Sequence, residues 1–258
     1  MKSILNNSKK VILSVALFLA ATANFLHAQE IHFGAKAGLN LTDIYGVISP
    51  GTTATGSTSM AVGFHVGGIV DIAFNDHFSI APEILYSTGG TKENINYTLS
   101  EDLGIPTTIV TTGTVSLNLG YLQLPIMMKY KMDNGFNFSV GPTLSMLLTS
   151  TYLGNETTTI TTYTKPVMVI SGSNNAAGRL DSAMNKMDIG LAVGGGYQFD
   201  FGLGFGIRYI FGLSQLFKGG ISYPDTGDPY GRTITQGPYG GSETFQISVS
   251  YMFGMSKN

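Results

Sequence analysis

Residues 62–86, VGFHVGGIVDIAFNDHFSIAPEILY, decide how the chain is read. Val62, Phe64, Val66, Val70, Ile72 and Phe74 recur at every second or fourth position with small or polar residues between them. After Asn75-Asp76 the same rhythm resumes in Phe78, Ile80, Ile84 and Tyr86. Side chains alternate between the two faces of a β-strand, so a period of two marks a strand with one apolar face. Asn and Asp favour tight turns, which makes this stretch two antiparallel strands joined by a short turn.

Working outward, the period recurs along the chain and predicts eight strands. They cover about Ile31–Thr42, Ala61–Phe74, His77–Tyr97, Thr114–Met132, Phe136–Tyr152, Met187–Phe199, Leu203–Ser214 and Ser242–Phe253. In the fourth, the apolar row changes phase: Val115, Leu117, Leu119 and Tyr121 are followed by Leu122, Leu124, Ile126, Met128, Tyr130 and Met132. A slip beside Gly120 is the signature of a β-bulge in that strand. Asn75-Asp76, Asp133-Asn134-Gly135 and Asp200-Phe201-Gly202 are short links, whereas those at about 43–60, 98–113, 153–186 and 217–241 are long and polar. Short and long strictly alternate. In bacterial outer-membrane barrels the short turns face the periplasm and the long loops face outside.

Composition agrees. The 258 residues are 43% hydrophobic and 12% charged, against about 25% charged in an ordinary soluble domain. Past the N-terminus no apolar stretch approaches the roughly 20 residues that a spanning helix needs. A net charge of −2 offers no basic patch, so nucleic acid is excluded as a partner class. Residues 1–28 read as an export signal: Lys2, Lys9 and Lys10 precede the apolar run Val11–Ala23. Cleavage sites of small residues lie at Ala21-Thr22-Ala23 and at Leu26-His27-Ala28. The second is favoured and leaves residues 29–258 as one barrel domain. With no Cys there are no disulfides and no lipid anchor on a cysteine.

The apolar rows are rich in Phe, Tyr, Leu, Ile and Met, and eight of them would overfill so narrow a barrel. The opposite rows, mostly Gly, Ser, Ala, Thr and Asn, suit a crowded lumen. The apolar faces therefore point to lipid. Phe74, Phe78, Tyr130, Phe136, Phe199 and Phe253 fall near the short turns, and Tyr86, Tyr121 and Tyr152 toward the long loops, as two interfacial girdles without Trp. The lumen row collects Lys36, His65, Asp71, Glu83, Lys129, Lys131, Asp188 and Arg208. Both signs occur on several strands, so these groups are expected to pair across the interior as a structural network.

Five segments carry a family likeness. FGAKAGLNLTDI at 33–44, GFHVGGIVDIAFNDHFSIAPEILYSTGG at 63–90, LGYLQLPIMMKYKM at 119–132, GFNFSVGPTLSMLL at 135–148 and DIGLAVGGGYQFDFGLGFGIRYIFGLS at 188–214 resemble the PorT-like outer-membrane β-barrel family. The steps Pro82-Glu83, Leu124-Pro125 and Gly141-Pro142 add specificity. The resemblance implies an eight-stranded outer-membrane barrel, usually without an assigned activity, whose founding member serves a secretion and gliding apparatus. The chain departs from the usual aromatic terminus of an insertion signal, because residues 254–258 follow Phe253.

Chemistry-bearing motifs are sparse. After cleavage the histidines are His32, His65 and His77, and only His65 is placed to meet a Ser and a carboxylate in the lumen. No local spacing marks a catalytic triad. Gly202, Gly204 and Gly206 alternate within a strand and lack the strand-to-helix junction of a nucleotide loop. Asp225 and Asp228 are too few ligands for calcium. No metal or cofactor is expected.

The sequence thus predicts an all-β, eight-stranded, antiparallel, up-and-down transmembrane barrel with a filled lumen. Its role is structural or surface-binding through four long loops, without catalysis. The Thr-rich segment 149–166 is expected to project as a hairpin, and Tyr223, Tyr230 and Tyr239 enrich the last loop. Its expected partners are outer-membrane lipid, the barrel-insertion machinery and an extracellular or secretion-complex protein. The alternatives are an accessory subunit of a secretion or transport assembly, and a lipid-modifying enzyme using His65.

Overall fold

The computed structural model describes residues 30–45, 57–102, 105–218, 222–224, 233–235 and 241–254. The expected export signal at 1–28, with its two candidate cleavage sites, lies outside them, as do Asp225, Asp228, Tyr230 and Tyr239.

Among the described residues there are eleven strands: β1 (Glu30–Tyr45), β2 (Ser57–Ala73), β3 (Phe78–Asp102), β4 (Pro106–Lys131), β5 (Phe136–Thr162), β6 (Met168–Arg179), β7 (Met187–Gln198), β8 (Leu203–Gly212), β9 (Ser222–Pro224), β10 (Thr233–Thr235) and β11 (Gly241–Met252). Eight of them form a ring in the order β4-β3-β2-β1-β11-β8-β7-β5, and β5 pairs back onto β4. Every pairing is antiparallel. The ring follows chain order once β6 and the β9–β10 ribbon are set aside. Against the eight strands expected from sequence, the described residues hold eleven: eight in the ring and three, β6, β9 and β10, off it.

Two long links prove to be strand. The second, expected over 98–113, is strand over 98–102 and 106–113, because β3 and β4 pair from Thr91↔Leu117 up to Asp102↔Pro106. The third contains the end of β5 and all of β6, paired from Thr151↔Arg179 to Thr162↔Met168. These segments are rich in Thr, Ile and Val, whose β-branched side chains fit an extended backbone. The expected hairpin is thus the outer half of a four-stranded sheet, β3-β4-β5-β6. The short links at 74–77, 132–135 and 199–202 are tight, with Gly135 and Gly202 at positive φ of 89° and 98°.

Alternation sorts the faces as the composition requires. In β1 the odd positions Ile31, Phe33 and Leu39 are exposed, while Lys36 and Asn40 are buried. Ile189, Leu191 and Val193 of β7, Phe205, Ile207 and Phe211 of β8, and Ile247, Val249 and Tyr251 of β11 all lie on the outer surface. The outer row of β3 turns polar above Tyr86, at Lys92, Asn94 and Asn96, which ends the apolar band there. Near the short turns, aromatic rings touch: Phe78 with Tyr130 (5.1 Å), Phe136 with Tyr197 (5.0 Å), Tyr197 with Phe199 (4.8 Å) and Tyr251 with Phe253 (5.6 Å). This lower girdle has the expected position. Of the upper girdle only Tyr86 is outward and exposed. Tyr152 packs over Gly178, and Tyr121 packs against buried apolar residues at the loop end of the ring.

The phase change in β4 has another cause than the one expected. The pleat of β4 runs unbroken, with Thr111, Leu117, Leu119, Gln123, Pro125 and Met127 all buried on one side. The register shift opposite Gly120 and Tyr121 belongs to β5, where Tyr121 pairs with Leu147 and Gly120 with Thr149. Leu148 and Thr149 are consecutive outward residues, so the extra residue is in β5. The upper apolar residues of β4 therefore point inward. The rule that apolar rows face lipid fails at this end because something inside the ring needs them.

Candidate functional site

That something is the filling of the lumen, whose side chains stack in layers from the short turns upward. Lowest lie the charges. Glu83, on β3, accepts two hydrogen bonds from Arg208 of β8 (Nη2 to Oε1 2.6 Å, Nη1 to Oε2 2.9 Å) and is bridged by Lys36 Nζ of β1 at 3.2 Å. Asp71, on β2, takes Lys129 and Lys131 of β4 at 3.2 and 3.3 Å. Six of the eight predicted lumen residues thus form two ion-pair clusters, each joining strands from different parts of the ring. Bidentate guanidinium–carboxylate contacts fix geometry as well as charge.

The next layer is neutral. His65 meets Asn40 Oδ1 through Nδ1 (2.7 Å) and Ser248 Oγ through Nε2 (3.0 Å). Asn40 Nδ2 donates to Ser87 Oγ (3.0 Å) and to the carbonyls of Phe64 (3.1 Å) and Thr88 (2.7 Å). Gln246 Nε2 donates to Asn40 Oδ1 (3.1 Å) and to Gln123 Oε1 (3.5 Å). Gly38 makes room for the imidazole: a Cβ there would sit 2.6 Å from His65 Cε1. His65 therefore has no carboxylate partner, contrary to the arrangement an ion-paired His would need. Since Asn40 Oδ1 can only accept, His65 Nδ1 carries the proton and Nε2 accepts from Ser248.

Ser248, His65 and Asn40 are lined up as nucleophile, base and orienting group would be. A hydrolase also needs donors for the developing oxyanion. Around Ser248 the backbone is engaged in ladders to both β1 and β8, so the strand offers no such pair. Asn40 also anchors Ser87 and Gln246, so the network ties strands together rather than serving one reactive hydroxyl.

Uppermost is an apolar cap. Ile44, Leu117, Leu119, Leu147, Met184, Leu216 and Phe217 form one buried cluster, with Tyr121 and Leu180 against it. Two links fold in to complete it. They are joined by the Met184↔Phe217 bridge, by Asn185 N to Leu216 O (2.7 Å) and by Lys218 N to Ala183 O (3.0 Å). Asp181 fastens the first link to β5, accepting from Ser150 N (3.0 Å) and Oγ (2.9 Å). Hydrogen bonds from Arg179 (2.7 Å) and Ser150 hold the Asp181 carboxyl below the usual carboxylate range. Asp188, grouped in sequence with the lumen charges, stands apart from both ion-pair clusters and bonds Ser214 and Ser242 near the cap. Above the apolar band, burial pushes Glu93 of β3 up to about 6.

Sequence reasoning missed Asn40, Gln123, Gln246 and Ser248, because single neutral residues in an inward row carry no signal of their own. It also missed the cap residues Met184, Leu216 and Phe217, which sit in links. The apolar upper half of β4 was the available clue that the loop end is plugged.

Among the described residues no group of three or more His, Asp and Glu stands ready to hold a metal ion. A closed antiparallel ring with an apolar exterior, an aromatic girdle and an ion-paired interior defines an outer-membrane β-barrel protein. The family described as outer membrane protein beta-barrel domain matches residues 27–218, and the chain belongs to that family. Among solved structures, Neisserial surface protein A is similar at 10% identity, covering 88% of this chain and 100% of its own, with a TM-score of 0.37. Ail, the attachment invasion locus protein of Yersinia pestis, aligns at 12% identity over 87% of this chain and 99% of its own (TM-score 0.33). CarO of Acinetobacter baumannii aligns at 11% over 85% and 97% (TM-score 0.33). No curated protein matches the chain.

Proposed function

We propose that the protein is an eight-stranded, up-and-down barrel of the outer membrane, of the PorT-like kind, which does not conduct and acts as a surface-binding protein. Residues 1–28 direct its export and are removed, leaving 29–258 as one barrel domain held in outer-membrane lipid. The observation that carries this reading is the contrast between the two ends of the molecule. The ring is filled by ion pairs, an amide–imidazole layer and an apolar cap. Beyond the apolar band, β3 to β6 continue as a sheet whose β6 is exposed along nearly its whole length. A filled barrel that supports a projecting sheet is suited to contact, and binding segments carried on a rigid scaffold are a common arrangement. The partner on this reading is an extracellular or secretion-complex protein.

The experiment is removal of residues 156–174, which joins Asn155 to its cross-strand neighbour Asn175. The shortened protein should insert normally and show no steady conductance in planar bilayers, as the full chain should. Cells displaying the full chain should retain a surface partner that cells displaying the shortened chain lose. Stepwise channel currents through the full chain, or partner capture that survives the deletion, would overturn the reading.

A further inference from the structure

The charged layer is unbalanced. Among the buried inward residues of the periplasmic half, four cations, Lys36, Lys129, Lys131 and Arg208, face two carboxylates, Asp71 and Glu83, while Glu30, on the same row of β1, is exposed at the mouth. Charges enclosed in protein and lipid are ordinarily neutralised nearby, because an uncompensated buried charge is expensive. The space beside them is also incomplete. A cavity of about 60 Å³ is lined by the cations Lys36, Lys129 and Arg208 and the carboxylate Glu83 that pairs with two of them, by Gly196 and Gly206, and by Ser139, Ser248 and Ser250. About 10–15 Å³ of such space holds one water, so several waters or one tetrahedral oxyanion would fill this one.

The donors have capacity to spare. Lys129 Nζ gives one hydrogen bond to Asp71 and each ammonium has three protons. The hydroxyls of Ser139 and Ser250 can rotate to donate, whereas Ser248 gives its proton to His65. The glycine wall matters because β7 and β8 present no side chain at positions 196 and 206. A Cβ built on Gly206 would meet only Gly195 O, at 3.5 Å, so the emptiness on that side is real room. Access is one-sided: Gln198 and Asn137, beside the short turns, line the cavity, and the apolar cap closes the opposite end.

We propose that this cavity is a binding site for a small oxyanion that enters from the periplasmic mouth and completes the charge balance of the lumen. The geometry fits a phosphate-sized group held by the ammonium groups of Lys36 and Lys129 and by serine hydroxyls. Cations at a low-dielectric mouth would draw it in. This site lies at the opposite end of the molecule from the proposed contact sheet and does not depend on it.

The test is calorimetric titration of the folded, detergent-solubilised full chain with inorganic phosphate at fixed ionic strength, with sodium chloride as the matched control. The wild type should give a saturable isotherm near one phosphate per chain, absent with chloride. Gly206→Leu, which fills the cavity from the wall that admits a side chain, should abolish it. Lys129→Met, which leaves Asp71 with Lys131, should weaken it at least tenfold, and provides the same information if the leucine variant fails to give a heat-modifiable folded band. Identical heats for phosphate and chloride, or a phosphate isotherm unchanged in the variants that fold, would overturn the proposal.

Discussion

At the scale of single residues, the structure turns on which groups are enclosed and with what. Glu83 is the acceptor for both Lys36 and Arg208, so Glu83→Gln leaves two buried cations facing a neutral amide. Breaking a buried ion pair from one side costs about 3–5 kcal/mol, and urea unfolding in detergent micelles should show a loss of that size. Facing is tested by neighbours. Leu191→Arg places a charge against lipid and should cost about 2–4 kcal/mol. Gly190→Arg must instead fail by crowding, since even a Cβ there would lie 2.7 Å from Phe211 O and from Thr143 Oγ1. Glu93 supplies a pH test. Burial raises its carboxyl from 4.5 to about 6, so the folded state holds the proton longer than the unfolded chain. Its stabilising contribution is therefore present in acid and lost as pH rises through about 6. Glu93→Gln should remove that dependence and leave the variant about 1 kcal/mol more stable than wild type at pH 7, with no gain at pH 4.5. The charged lumen residues were legible because alternation alone puts them on one face. Their partners were not, because Glu83 and Arg208 are 125 positions apart and only the stagger of the ring decides which side chains meet.

At the scale of elements, the strands within the apolar band were legible and their continuations above it were not. Between Ile31 and Tyr86 each strand contrasts lipid with lumen, so hydrophobicity alternates strongly. Past that band, in Thr107–Thr112 or Thr157–Thr162, both faces meet water or small polar neighbours, and the alternation fades although the backbone stays extended. Residue type, β-branched and uncharged, was the better guide there. The phase change in β4 was read correctly as an event and wrongly as a bulge in that strand. Leu117 and Leu119 are apolar because Met184, Leu216 and Phe217 lie on them, and a link folding into the ring leaves no periodic trace. The β5–β6 extension pairs with β4 over residues 156–162 but shares no ladder with β1, β2, β7, β8 or β11 above residue 155, so removing residues 156–174 should leave the unfolding midpoint of the ring close to that of the full chain. A large loss would mean that the sheet helps to close the ring.

At the scale of the whole molecule, closure is what makes the other features consistent. Pairing β4 with β5 removes the free edges that an open eight-stranded sheet would present to lipid, where unpaired backbone groups cannot be satisfied. A ring this narrow must then be packed inside, which explains why its lumen carries ion pairs and amides in place of a water column. The arrangement is most directly tested by a single-cysteine spin-label scan of β8, Leu203 to Gly212, in lipid vesicles, since the native chain has no Cys to remove. Labels at 205, 207, 209 and 211 should be accessible to oxygen dissolved in the bilayer, and those at 204, 206, 208 and 210 should be shielded from it, with a period of two along the strand. Uniform accessibility, or the opposite phase, would contradict the central claim that the bulky apolar rows face lipid around a packed interior.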